Sequence, residues 1–142
     1  MMKLHYTILI FFISLNNTLS QSHQEIIKFE SANPFSLNHI IENLDSQEKQ
    51  NVSGKLKLPF YNKKSNKKFP VVIGVAGSLG WADHHYEYLR MYREMGIATF
   101  ELNSFKSRNI TSTVGTQNEV TIAAIILDAY RAFEILAKHP NI

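Results

Sequence analysis

The chain has 142 residues, enough for one domain at most. Its 44% hydrophobic and 11% aromatic content, with only 19% charged, argues against intrinsic disorder, and zero cysteines exclude a disulfide scaffold, a thiolate zinc site and a cysteine nucleophile within this sequence. A formal charge of +3, one less if Lys3 leaves with a leader, is far from a basic stripe, so no nucleic-acid partner is expected.

Residues 1–20 read as a secretory signal. Lys3 supplies the positive start, Thr7–Leu15 (TILIFFISL) the apolar core, and Thr18 and Ser20 the small residues at −3 and −1 of a cleavage site after Ser20. Polar Asn16-Asn17 stop the run well short of the roughly 20 apolar residues that a membrane span requires. The expected mature protein is periplasmic or secreted, with no stable membrane insertion. Asn51-Val52-Ser53 and Asn109-Ile110-Thr111 match the glycosylation sequon only at the level of a three-residue pattern.

After the leader, residues 21–51 read as a polar surface lead-in with one short helix at Leu37–Leu44, and 52–142 as a partial α/β domain. Val52–Leu58 alternates apolar and polar and stops at Pro59, which predicts a half-exposed edge strand. Tyr61–Lys68 (YNKKSNKK) reads as a solvated basic turn. Val71–Val75 is a continuous β-branched run, the pattern of a strand buried on both faces. A glycine-rich loop, Ala76–Ala82, follows. Asp83 is placed to cap a helix over His84–Met95, with Gly96 as its left-handed stop and Leu89, Tyr92 and Met95 on its core face. Ile97–Leu102 predicts a second buried strand, parallel to the first through a right-handed crossover.

Ser104–Gly115 reads as a loop, and Thr116 with Glu119 as the capping box of a final helix, Gln117–Lys138. The expected inward stripe is Ile122, Ile126, Ala129, Phe133 and Leu136, with Asp128–Arg131 and Glu134–Lys138 as ion pairs on the outside. The class is α/β, the opening of a sheet with an edge strand followed by parallel β-α-β-α. Its apolar faces and sheet edges look uncovered.

The loop Gly74-Val75-Ala76-Gly77-Ser78-Leu79-Gly80 lies between strand and helix, at the end of the sheet where open α/β folds bind ligands. A phosphate-binding P-loop is excluded, because no Gly-Lys-Ser/Thr occurs. A dinucleotide fingerprint would use Glu101 on the ribose, but the glycine spacing is G-x-x-G-x-x-G. A nucleophile elbow at Ser78, with Asp128 and His139 following in hydrolase order, lacks a helix that starts at the serine. An oxyanion loop, in which a backbone N–H faces the anion of an attacked carbonyl, fits these residue types, as does a plain glycine turn.

From Phe69 to Ile142 the chain resembles the dienelactone-hydrolase-like branch of the α/β-hydrolases. The resemblance is carried by Pro70–Trp81 (PVVIGVAGSLGW), Gly96–Arg108 (GIATFELNSFKSR), Ser112–Val120 (STVGTQNEV) and Asp128–Ile142 (DAYRAFEILAKHPNI). Val52–Pro59 also looks like that branch's early strand. The family shows an H-G-S-G-G-like loop, then D-S-F-x-x-R-G, S-T-V-x-x-Q, and a helix ending in H-P-x-I. Here Ala76 stands for the histidine, Asn103 for the aspartate and Asn109 for the last glycine.

The resemblance implies an ester or lactone hydrolase that works through an acyl-enzyme and needs no cofactor or metal. It places the oxyanion donor at the main-chain N–H of Ser78. Gly77, Leu79, Trp81, His84 and Phe105 fall at the pocket wall, and Arg108 faces a substrate carboxylate. The family's nucleophile elbow, acid and histidine would all lie beyond Ile142, so this stretch alone is expected to be inert. Two other readings stay open: a non-enzymatic α/β binding module and a dinucleotide-binding β-α-β unit.

Overall fold

Four strands form one mixed sheet in a computed structural model that describes residues 23–60 and 67–142. The stretch expected to be a leader, 1–20, and residues 61–66 of the expected basic turn lie outside the described residues. The strands are β1 (Gln24–Ala32), β2 (Lys49–Lys57), β3 (Val71–Gly74) and β4 (Ala98–Leu102), in the order β1-β2-β4-β3. β1 pairs antiparallel with β2 from Gln24↔Lys57 to Ala32↔Lys49, and β2 pairs antiparallel with β4 from Gly54↔Leu102 to Lys57↔Thr99. β3 runs parallel to β4, as expected for a strand–helix–strand unit. The helices are α1 (Leu37–Glu42), α2 (Asp83–Glu94) and α3 (Ile122–Leu136). None of the helices among the described residues is long and apolar enough to cross a membrane.

The sheet's period of two sorts its faces. Phe29, Val52, Leu56, Phe100 and Leu102 point to one side, where Ala132 and Leu136 of α3 close the core. Lys55, Lys57, Thr99 and Glu101 point to the other, where α2 covers only the β3–β4 end. Gly54 has a packing role: a Cβ there would lie 2.1 Å from the Phe100 ring, so the tip of that ring takes the space a side chain would fill.

Several expectations need correction. The stretch read as a surface lead-in supplies β1, whose apolar residues do not alternate cleanly: Ile27 and Phe29 turn to the core while Ile26 lies on the open face. The short helix inside that stretch is present as α1. With β1 on its outer side, β2 is an interior strand rather than an edge; its alternation reflects one open sheet face, not a missing neighbour. β3 takes the edge instead, and its residues are half-buried rather than buried on both faces.

α2 begins at Asp83 without a side-chain cap from that aspartate; the N–H of Ala82 donates to His85 Nδ1 at 3.0 Å. Gly96 is the left-handed stop (φ 83°), and Leu89 is buried, but Tyr92 and Met95 are exposed. α3 starts five residues later than expected. Thr121, not Thr116, accepts the N–H of Ala124 at 3.1 Å, while residues 116–119 form a turn.

The expected inward stripe of α3 is largely its outer face. Ile122 is 73% and Phe133 61% exposed, and Ile126 is also exposed; Ala124, Leu127, Asp128, Ala132 and Leu136 are buried. The helix is apolar around most of its circumference, so periodicity alone could not choose a side. Its rotation agrees with two requirements: small alanines allow close approach to the sheet, and Asp128 must reach a buried partner. On the outer side, Arg131 pairs with Glu134 at 3.0 Å; neither expected pair, Asp128–Arg131 or Glu134–Lys138, forms.

Candidate functional site

The glycine loop between β3 and α2 is a closed turn. Gly80 N–H donates to the carbonyl of Gly77 at 2.8 Å, and Gly80 itself sits at φ 79°. A Cβ on Gly80 would lie 2.9 Å from the carbonyl oxygen of Thr111, so both conformation and space require glycine there. The carbonyl of Ser78 accepts the N–H of Thr113 at 2.8 Å and the hydroxyl of Ser112 at 3.0 Å, which stitches the crest of the turn to the loop after β4. The N–H of Ser78 has no acceptor among the described residues and sits at the exposed crest.

Two concavities flank the turn. One, of about 620 Å³, has Glu101, Leu102 and Asn103 at its floor, with Leu79, Trp81 and Phe105 in its wall. The other, of about 510 Å³, is lined by Gly77 and Ser78 together with Phe35, Phe105 and Ile122. Ala76, Phe105 and Ile125 border both, so the two meet at the ends of β3 and β4. The structure thus gathers Gly77, Ser78, Leu79, Trp81 and Phe105 around one region, and leaves His84 exposed outside it.

Trp81 is held from several sides. Its Nε1–H donates to the carbonyl of Leu102 at 3.1 Å, its ring stacks on Tyr86 with centroids 5.6 Å apart, and its edge packs against bare Gly74. Beneath this pair lies Glu101, whose side chain is 9% exposed, with Lys55 Nζ at 3.7 Å from its carboxylate. Burial pushes the Tyr86 phenol above its ordinary range, helped by the charges of Glu101 and Asp83. Burial, then Lys55 and Arg93, push the Lys57 ammonium below its own.

Arg108 is not at the pocket. Its side chain is 5% exposed, and each of its five N–H donors has an internal acceptor. Nε reaches Asn33 Oδ1 at 2.7 Å; one terminal nitrogen reaches the carbonyl of Ser104 and Asp128, and the other the carbonyl of Ala32 and Asp128. No donor is left for a substrate carboxylate, so the role implied for Arg108 gives way to a structural one. Asp128, expected on the outside, is completely buried as its partner.

This arrangement also removes the elbow reading of Ser78. Asp128 is committed to Arg108, and His139, about three helical turns further on, lies 3.3 Å from Glu25 at the start of β1. Among the described residues, no three His, Asp or Glu side chains gather in metal-holding positions. Lys55 and Tyr86 escaped the sequence reading, because a lysine in an alternating strand and a tyrosine on a helix carry no signal of convergence. Glu101 was visible only as a potential ribose ligand.

No protein-family model, curated protein or solved structure matches the chain.

Proposed function

We propose that this chain forms the N-terminal part of an exported dienelactone-hydrolase-like α/β-hydrolase, acting on a small ester or lactone, with the Ser78 N–H as an oxyanion donor. The observation that carries this reading is that N–H: unpaired, at the crest of a rigid turn after β3, and beside a cleft. When a nucleophile adds to a carbonyl, negative charge develops on oxygen. A fixed backbone donor stabilises that charge more than the ground-state carbonyl, by about 3 kcal/mol for one such donor. The turn is held by the Gly77–Gly80 bond and the two bonds to the Ser78 carbonyl, so the donor needs little reorganisation.

Two further features support the family reading. The order of antiparallel strands followed by a parallel β-α-β unit and a helix agrees with the resemblance. Asn109, standing where the family shows glycine, has φ 58° and ψ 27°, a left-handed conformation that glycine favours and asparagine tolerates. The nucleophile, acid and histidine belong, in this reading, to a segment beyond Ile142. Translating the coding frame past the Ile142 codon tests it: a strand and G-x-Ser/Cys-x-G within about 15 residues support the hydrolase, and their absence from the frame overturns it.

A non-enzymatic binding module is the second reading, favoured by one observation. The arginine that would have met a substrate carboxylate is fully consumed inside the fold. The 142-residue chain is expected to show no turnover of chromogenic esters. Hydrolysis that disappears in Ser78→Ala would make the hydroxyl a nucleophile and overturn the backbone role.

A further inference from the structure

The floor of the larger cleft holds a donor and an acceptor that do not satisfy each other. Glu101, on β4, and Lys55, paired with it across the ladder on β2, both project to the face that α2 leaves partly open. Their charged atoms are 3.7 Å apart, beyond hydrogen-bonding distance, and neither side chain has a hydrogen bond to any other described residue. The Glu101 side chain is nine-tenths buried yet borders the cleft. Its carboxylate oxygens are not among the enclosed unpartnered atoms, so their free hydrogen-bonding capacity opens on the cleft. Over the pair lies the Trp81–Tyr86 stack, and Ser53 adds a hydroxyl at the same wall.

We propose that this corner of the cleft is a saccharide subsite, in which Glu101 and Lys55 take the two neighbouring hydroxyls of a sugar ring beside the Trp81–Tyr86 aromatic pair. Each hydroxyl of a vicinal diol both donates and accepts, so one can donate to the carboxylate while its neighbour accepts from the ammonium. Aliphatic C–H faces of a pyranose suit an aromatic wall, and the cleft of about 620 Å³ admits a ring of that size. A simple anion fits less well, because it would meet Glu101. A simple cation would meet Lys55.

The ribose of a nucleotide offers the same diol. Its phosphates would then belong at the start of α2, where Asp83 opens the helix and would repel them. A free saccharide or glycoside is therefore the favoured source. The inference does not depend on the oxyanion role of Ser78; if both hold, the ester would be carried on a sugar.

Trp81 is the only tryptophan in the sequence, which makes its emission a site-specific reporter. The test is a fluorescence titration of the full chain with methyl pyranosides of glucose, galactose, mannose and xylose. Adenosine and NAD form a second arm, and inorganic phosphate a third. At least one pyranoside should give a saturable change in the millimolar range. Glu101→Gln and Lys55→Met should each weaken it about tenfold or more, with the thermal unfolding midpoint of Lys55→Met unchanged. The Lys55 side chain is 29% exposed, and Lys55→Met is the variant expected to fold whatever Glu101→Gln does. A response to adenosine or NAD alone would overturn the saccharide assignment in favour of a nucleotide. A response to phosphate alone would reassign Lys55 to an anion site, and no saturable response in any arm would also overturn the proposal.

Discussion

Asp128 on α3 and Arg108 in the loop after β4 form a two-point ion pair, 2.7 and 3.1 Å, with the carboxylate completely buried. The same guanidinium holds the end of β1 through Ala32 and Asn33 and its own loop through Ser104. One side chain thereby fixes three separate chain segments. A buried pair of this kind adds little against a well-packed apolar substitute, but losing one partner leaves an uncompensated buried charge. Arg108→Met and Asp128→Leu are each expected to lose about 3–5 kcal/mol of unfolding free energy in denaturant titrations. The double variant should lose clearly less than the sum, which is the signature of direct coupling.

The two glycines of the turn should respond differently to alanine. Gly80 has a positive φ and a carbonyl oxygen in the way, so Gly80→Ala should destabilise the chain by about 1–3 kcal/mol. Gly77 has neither restriction: a Cβ there meets nothing within 4 Å. Thermal unfolding of Gly77→Ala should match the parent.

The rotation of α3 can be read from a pair of truncations. Leu136 is 1% exposed, and Leu136→Ala should cost about 2–5 kcal/mol. Phe133→Ala, three residues away on the outer face, should leave stability within about 0.5 kcal/mol. The opposite ranking in urea titrations would restore the stripe that periodicity alone suggests.

The folded chain holds the phenolic proton of Tyr86 more tightly than the unfolded chain, because burial and the charges of Glu101 and Asp83 oppose the phenolate. The associated stability is complete below the ordinary tyrosine pKa of 10.0 and is lost as pH rises through the raised value in the fold. Ultraviolet titration should show one phenolate transition moving to lower pH in Glu101→Gln. In Tyr86→Phe that transition should be missing.

The parts legible in the sequence were those whose signal is local. Val71–Gly74 and Ala98–Leu102 announced themselves as β-branched or apolar runs, Gly96 as a left-handed stop, and Gly77–Gly80 as a turn facing the ligand end of the sheet. What stayed hidden depends on partners distant in the chain. β1 lacks alternation because Ile26 and Ile27 point to opposite faces, and only pairing with β2 decides which is core. The burial of Asp128 depends on an arginine 20 residues earlier and a strand end almost a hundred residues away, so its helix-spaced neighbour Arg131 looked the better partner. Lys55 and Glu101 meet only across a ladder that the sequence does not specify.

The oxyanion role of the Ser78 N–H is the centre of the functional account, and amide NMR tests it directly. The ¹⁵N-labelled chain would be titrated with phenyl methylphosphonate, a tetrahedral oxyanion. If the turn presents its unpaired donor to such a charge, the Ser78 amide proton should move downfield with dose and saturate, further than those of Gly77 and Leu79, and the response should persist in Ser78→Ala. An amide at position 78 that stays still throughout the titration would contradict the account.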